Sequence, residues 1–272
     1  MDKLVANPIG WIIGAILVLF AGRYFALAGI FYLLFYRLGV RRFAKLKIQP
    51  RLPKSRQIRT ELTYSLSTIL IFSSVALINW WLYGKGMTTI YLSVSERGWV
   101  YFVASLLLMV LVHDAYFYWT HRLLHQRWFF RKVHRVHHLS VNPTPWASYS
   151  FHPVEALIES LVIFLFTTIF PVHILALSAF LLNVLVMNVI GHLGFELIPA
   201  RYRAGLYGRI FTSSTHHNLH HQKTRTNFGY YLTFWDRKMK TLEGSRNGQT
   251  PSPRSKPQTQ KAQSQVPVPG KL

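Results

Sequence analysis

Eight of the chain's thirteen histidines fall into three short boxes. They are His121 and His125 in WTHRLLH, His134, His137 and His138 in HRVHH, and His217, His220 and His221 in HNLHH. Residues three and four apart share one face of a helix, so His121 and His125 point the same way, as do His134 and His138, and His217 and His221. Neutral imidazole is a borderline ligand suited to iron, zinc and copper. Eight such groups exceed what one tetrahedral or octahedral ion can use, and two ions are expected. A lone histidine is usually a surface or satisfied core residue, but three boxes in one chain are a poor fit to chance.

The chain's 272 residues contain no cysteine. Disulfides, thiolate-bound zinc, iron–sulfur clusters and cysteine nucleophiles are therefore excluded, and any metal must be held by nitrogen and oxygen. Half of the residues are hydrophobic and 15% are aromatic, the profile of an integral membrane protein. The formal net charge is +22. The basic residues cluster at the ends of long apolar runs, which argues against a nucleic-acid partner and matches the excess of Lys and Arg in cytoplasmic loops.

The elements that would carry the boxes are apolar runs of membrane length, about 20 residues each. The first spans Trp11 to Tyr36 and is interrupted by Arg23. A basic stretch from Arg37 to Arg59 follows, with nine Lys or Arg and no acid. Further runs cover about Leu62 to Tyr83, Trp99 to Trp119, Ala156 to Phe170 and His173 to Ile190, the last two meeting at Pro171. The fourth run is short and need not cross fully. The expected fold is all-α, a multi-pass helical bundle of about four to five transmembrane helices with a cytoplasmic histidine-rich cap. Three segments are expected: 1–98, transmembrane helices and a basic loop; 99–243, the catalytic domain; and 244–272, a disordered basic tail rich in Pro, Gln and Ser. The N-terminal run lacks a convincing cleavage site and reads as a retained anchor. With Arg37–Arg59 in the cytoplasm, alternation puts all three boxes and all three basic regions on that side.

HDAYFYWTHRLLH, then HRVHH, then HHNLHH followed by NFGYYLTFWDR, resemble the fatty acid hydroxylase/sterol desaturase superfamily, over roughly residues 99 to 240. The resemblance implies two irons held by histidines, and the use of O2 and electrons to hydroxylate or desaturate an unactivated lipid C–H bond. It implies His121, His125, His134, His137, His138, His217, His220 and His221 as ligands. Where family members often carry a further histidine pair, this chain has Asn188 and His192. His192 is expected as a ninth ligand, and Asn188 as a weak oxygen ligand or a group behind the ligands. Asp114, His152 and Glu155 are candidate catalytic-site residues, because ligating imidazoles usually donate their other N–H to an acceptor and an ionisable group at membrane depth marks function. Trp235, Asp236 and Arg237 are expected to brace the cap.

Competing readings are a zinc-dependent hydrolase, a bis-histidine haem protein and a metal transporter. No HExxH motif occurs, and the box histidines are surplus to a zinc hydrolase's needs. Haem would require histidines at matched depths on facing helices. Transport would place ionisable groups along a mid-membrane path, where only Arg23 is found. With no flavin or nicotinamide fingerprint in the chain, electrons are expected from a separate protein, a ferredoxin or a b-type cytochrome with its reductase. The basic face with Arg127, Arg131 and Lys132 could attract such a donor. The expected setting is a bacterial inner membrane, or the endoplasmic reticulum in a eukaryote, with a lipid substrate drawn from the bilayer.

Overall fold

A computed structural model describes residues 8–244; the Pro-, Gln- and Ser-rich tail expected to be disordered lies, beyond residue 244, outside the described residues. The first apolar run is α1 (Pro8–Tyr32), prolonged by a π-helical turn at Leu33–Leu38. After the basic linker comes α2 (Ser55–Gly84), then a two-residue strand β1 (Ile90–Tyr91) and α3 (Gly98–Leu124). The histidine-rich region holds α4 (Arg127–Lys132) and 3-10 turns at His134–Leu139 and Pro145–Tyr149. Next are α5 (Pro153–Ile169), β2 (Val172–His173) and α6 (Ile174–Gly191). The cap is completed by α7 (Ala200–Ala204), α8 (Leu206–Ile210), α9 (Ser214–Lys223) and α10 (Phe234–Lys238).

Among the described residues four helices are long and apolar enough to cross a membrane: Ile9–Leu38, Ser55–Gly84, Gly98–Leu124 and Ile174–Gly191. The 17-residue α5 is not one of them. The protein is thus a mostly helical, multi-pass bundle. Among the described residues its buried apolar side chains pack in three clusters, the smallest being Phe35, Tyr36, Leu193 and Phe195. Phe20, Tyr24 and Ala28 of α1 meet Ile69 of α2, Tyr149, and Leu185 and Val189 of α6. Met109 of α3, Val162 and Phe166 of α5, and Ala176 and Phe180 of α6 form another. The sheet is a single parallel pair, Ile90 with Val172 and Tyr91 with His173, and His173 caps α6 by accepting from Leu175 N.

The second helix begins at Ser55, seven residues before the apolar run expected from Leu62, so Arg56, Arg59 and Glu61 ride on it. The basic linker folds back onto the histidine-bearing end of the bundle. Glu196 N donates to Leu46 O and Ile48 N to Gly194 O. Lys47 donates to Asn142 Oδ1 and Gly194 O, and desolvation by burial lowers its pKa to about 8. Gly194 has φ +72°, and a Cβ there would lie 2.5 Å from the Tyr36 hydroxyl, so only glycine suits this crossing.

Between the second histidine box and α5 the chain leaves α-helical geometry, and the 3-10 turn Pro145–Tyr149 inserts among α1, α2 and α6. Irregular backbone at such a place must have its polar groups met by protein. Side chains do this: Gln57 donates to Asn142 O, Tyr36 to Pro143 O, Tyr24 and Ser65 to Trp146 O, and Asn188 to Ser148 O. The carboxylate of Glu61 accepts from the Thr144 hydroxyl and from Gln57 Nε2.

Candidate metal centre

The nine histidines singled out from the sequence gather into two groups at one end of the bundle. His121, His125, His134, His138 and His220 form one, and His137, His192, His217 and His221 the other; within each, one nitrogen per residue lies within 4.8 Å of all the rest. Each element contributes by its end. The last turn of α3 supplies His121 and His125, and α6 delivers His192 as its C-terminal cap. The 3-10 turn and α9 supply the remainder. In HRVHH, His134 and His138 join one group while His137 joins the other. In HNLHH the assignment is mirrored: His217 and His221 belong together and His220 crosses over. The adjacent pairs His137–His138 and His220–His221 therefore straddle the two groups.

The contacts within the groups test whether a cation fits. In the first, Nε2–Nε2 distances are 3.1 Å for His125–His220, 3.1 Å for His134–His138, 3.1 Å for His138–His220 and 3.3 Å for His125–His138. In the second they are 3.2 Å for His137–His192, 2.9 Å for His192–His217, 3.2 Å for His192–His221 and 3.1 Å for His217–His221. Metal–imidazole bonds of about 2.1 Å, as for zinc, set neighbouring donors of one ion roughly 3 Å apart.

Tautomers sharpen the point. His137 Nδ1 donates to Ser150 O at 3.2 Å and His192 Nδ1 to Asn188 O at 2.8 Å, and a carbonyl can only accept. In their neutral forms both rings then face each other with lone pairs at Nε2. His121 donates in the same way to Phe228 O, and His220 to Thr226 O. Facing lone pairs at 3.2 Å repel unless a cation lies between them.

Burial keeps the rings neutral. Desolvation, reinforced by neighbouring histidines, holds His134, His137, His138, His217, His220 and His221 well below the usual imidazole pKa. Desolvation brings His192 to about 4. Neither group contains a carboxylate; the nearest is Glu155, whose Oε1 accepts from His134 Nδ1 at 2.7 Å with both side chains about 2% exposed.

The other expected site residues are placed differently. Asp114 accepts from the backbone N–H of Tyr231 at 2.9 Å and Leu232 at 3.0 Å, and touches none of the nine histidines. Asp236 accepts from the N–H of Phe228 and Gly229 and from the Thr241 hydroxyl. The two aspartates thus fix the turn whose Phe228 carbonyl orients His121, and Arg237 adds a brace by donating to Arg209 O. His152 caps α5, accepting from Val154 N. His113 contacts the Tyr231 hydroxyl and not a box histidine. Glu196, four residues past His192, accepts from Ile198 N and Thr215 N. The Asn188 side chain donates to Ser148 O, so its backbone carbonyl, not its amide, meets His192. The backbone acceptors Ser150, Thr226 and Phe228 leave no mark in a sequence, since every residue offers a carbonyl.

An apolar cavity adjoins the centre, with about 750 Å³ of space unfilled by protein, counting its open mouth. Phe117 and Phe151 in its wall lie against His121 and His137, with ring centroids 4.9 and 5.0 Å apart. Asn188 and Tyr230 also line it, and both are shared with a second cavity that reaches His217.

The sequence is 29% identical to rat lathosterol oxidase over 183 residues, 66% of this chain and 60% of that protein. It is 30% identical to a Delta(7)-sterol 5(6)-desaturase of Gibberella zeae over 192 residues, covering 71% of this chain and 58% of the relative. A Schizosaccharomyces pombe Delta(7)-sterol 5(6)-desaturase is 33% identical over 152 residues, 56% of this chain and 48% of the relative. The matches thus span about three fifths or less of these curated relatives' length. No solved structure matches the chain significantly. The family model described as Fatty acid hydroxylase matches residues 106–241, half of the 272-residue chain and the part that holds all nine histidines. The chain belongs to the fatty acid hydroxylase/sterol desaturase superfamily.

Proposed function

We propose that the protein is a membrane-bound diiron oxidoreductase that uses O2 and electrons from a separate protein to hydroxylate or desaturate a lipid C–H bond. The observation that carries this reading is the pair of histidine groups, with Nε2 lone pairs converging at about 3 Å while carbonyls hold the Nδ1 hydrogens. His121, His125, His134, His138 and His220 would hold one iron, and His137, His192, His217 and His221 the other. Bound iron would supply the oxidant that no side chain provides.

The chain's own residues do the rest. Ser150, Asn188, Thr226 and Phe228 fix imidazole orientation through their carbonyls, and Glu155 does so through its carboxylate. Phe117 and Phe151 present an apolar, water-excluding wall between the histidines and the cavity. A bilayer lipid, sterol-like by analogy with the relatives' names, would occupy that cavity, and fatty acyl, carotenoid and alkyl ether lipids are the other classes to test. Hydrolysis is less well served, because among the described residues the one carboxylate hydrogen-bonded to a box histidine is turned to an Nδ1 and not to the converging nitrogens. Exposed Arg127, Arg131, Lys132 and Arg135 border the second box and suit an acidic donor, a ferredoxin or a b-type cytochrome. The packing of the basic linker on the histidine end supports a cytoplasmic centre.

The test is turnover. Iron-loaded protein in nanodiscs, with a chemical or protein reductant and O2, is given lathosterol and then members of the other lipid classes. The expected product has gained one oxygen or lost two hydrogens by mass spectrometry, and requires both iron and O2. Iron-loaded, reducible protein that converts none of these lipids would overturn the proposal.

A further inference from the structure

Arg23 sits at the middle of the first membrane span. That span runs Ile9–Leu38, so Arg23 is about 20 Å along the axis from either end. In a hydrocarbon core about 30 Å thick this is close to the midplane, beyond the reach of a snorkelling side chain. A fixed charge there is costly and calls for partners.

The structure gives Arg23 few. Nη2 lies 3.5 Å from the Tyr149 hydroxyl, and the guanidinium carbon stands 3.8 Å over the Phe20 ring. Nε is buried and has no hydrogen-bond partner. Among the described residues no carboxylate pairs with it. Arg23 and Tyr149 both line the apolar cavity that Phe117 and Phe151 separate from the histidines. A guanidinium has donors and no acceptor, so whatever completes it from the cavity must accept.

We propose that Arg23, with the Tyr149 hydroxyl, is a subsite for an oxygen acceptor on the lipid that occupies the cavity, which makes the substrate an oxygenated lipid rather than a bare hydrocarbon. The inference rests on the proposed function for the claim that this occupant is the substrate.

The experiment uses full-length protein purified in detergent, with iron content measured on every sample. Matched probes are cholestanol against cholestane, and hexadecanol and hexadecanoic acid against hexadecane, read as concentration-dependent shifts of the melting temperature. Wild type is expected to bind an oxygenated probe about tenfold or more tighter than its hydrocarbon partner, in line with a hydrogen bond to a charged group. Arg23→Met is expected to lose that preference while keeping its hydrocarbon affinity and its iron; Arg23→Lys keeps part of the preference, and Tyr149→Phe lowers it. Preference for the alcohol or for the acid supports the subsite and names the oxygen group it takes. Equal affinity for oxygenated and hydrocarbon probes in wild type, or an undiminished preference in R23M, would overturn it. A wild-type protein that discriminates the probes but holds no iron would instead count against the proposed function alone.

Discussion

Replacing Glu155 by leucine should weaken one metal position and spare the other. Glu155 Oε1 lies 2.7 Å from His134 Nδ1, and with both side chains about 2% exposed no water can take its place. A hydrogen bond to a charged group contributes about 1.5–3 kcal/mol, and removing such a partner of a ligating histidine typically costs 10–100-fold in metal affinity. These figures agree, since each tenfold is about 1.4 kcal/mol. Glu155→Leu deletes the acceptor and strands the His134 N–H. Glu155→Gln keeps a neutral acceptor and should fall between leucine and wild type. None of His137, His192, His217 or His221 touches Glu155, so the second group should be unaffected. The assay is iron binding in competition with a chelator, fitted as two steps. One step should move by ten- to a hundredfold in E155L and the other should stay put. Two unchanged steps, or two shifted equally, would refute the assignment of Glu155 to His134 and of His134 to a separate group.

Two other outcomes follow from the geometry. Asp114→Ala leaves one buried and one part-buried backbone N–H without their acceptor, a loss of about 3 kcal/mol; a melting temperature equal to wild type in the same detergent would contradict its role in holding the Tyr231–Leu232 turn. Acid should destabilise the fold well above the pH range of carboxylate titration. Burial depresses six of the box histidines, so the folded chain refuses protons that the unfolded chain takes up near pH 6.5. Stability is then intact above that pH and lost as pH falls through it, by about 1 kcal/mol per such histidine at pH 5.5. Melting temperatures that are flat between pH 7.5 and 5.5 would show the rings to be accessible to protons in the folded state.

Much of the centre was readable because chemistry there depends on residue type and spacing. The helical spacing in WTHRLLH put His121 and His125 together. The same rule paired His134 with His138 even though HRVHH forms a 3-10 turn and not an α-helix. How His137 and His220 cross between the groups was not readable, because it depends on how α9 faces the 3-10 turn. The apolar runs located the four spans to within a few residues, except at the start of α2, where Ser55–Glu61 is polar and yet helical. Asp114 was singled out for its depth, but its partners are backbone amides more than a hundred residues away. The inserted stretch between His138 and Pro153 carries no periodic signal. Its place is set by side chains on other helices: Tyr24, Tyr36, Gln57, Ser65 and Asn188. Arg23 stood out in the sequence as a charge within a span, and only the cavity beside it gives that charge a direction.

The most direct test is the metal content of the protein and of a His134→Ala/His217→Ala double variant, which takes one ligand from each group. Elemental analysis of detergent-purified, iron-replete protein should find about two irons per chain, largely lost in the double variant while its helical content is retained. Zinc alone, or no metal in a well-folded wild-type protein, would contradict a diiron centre built from these nine histidines.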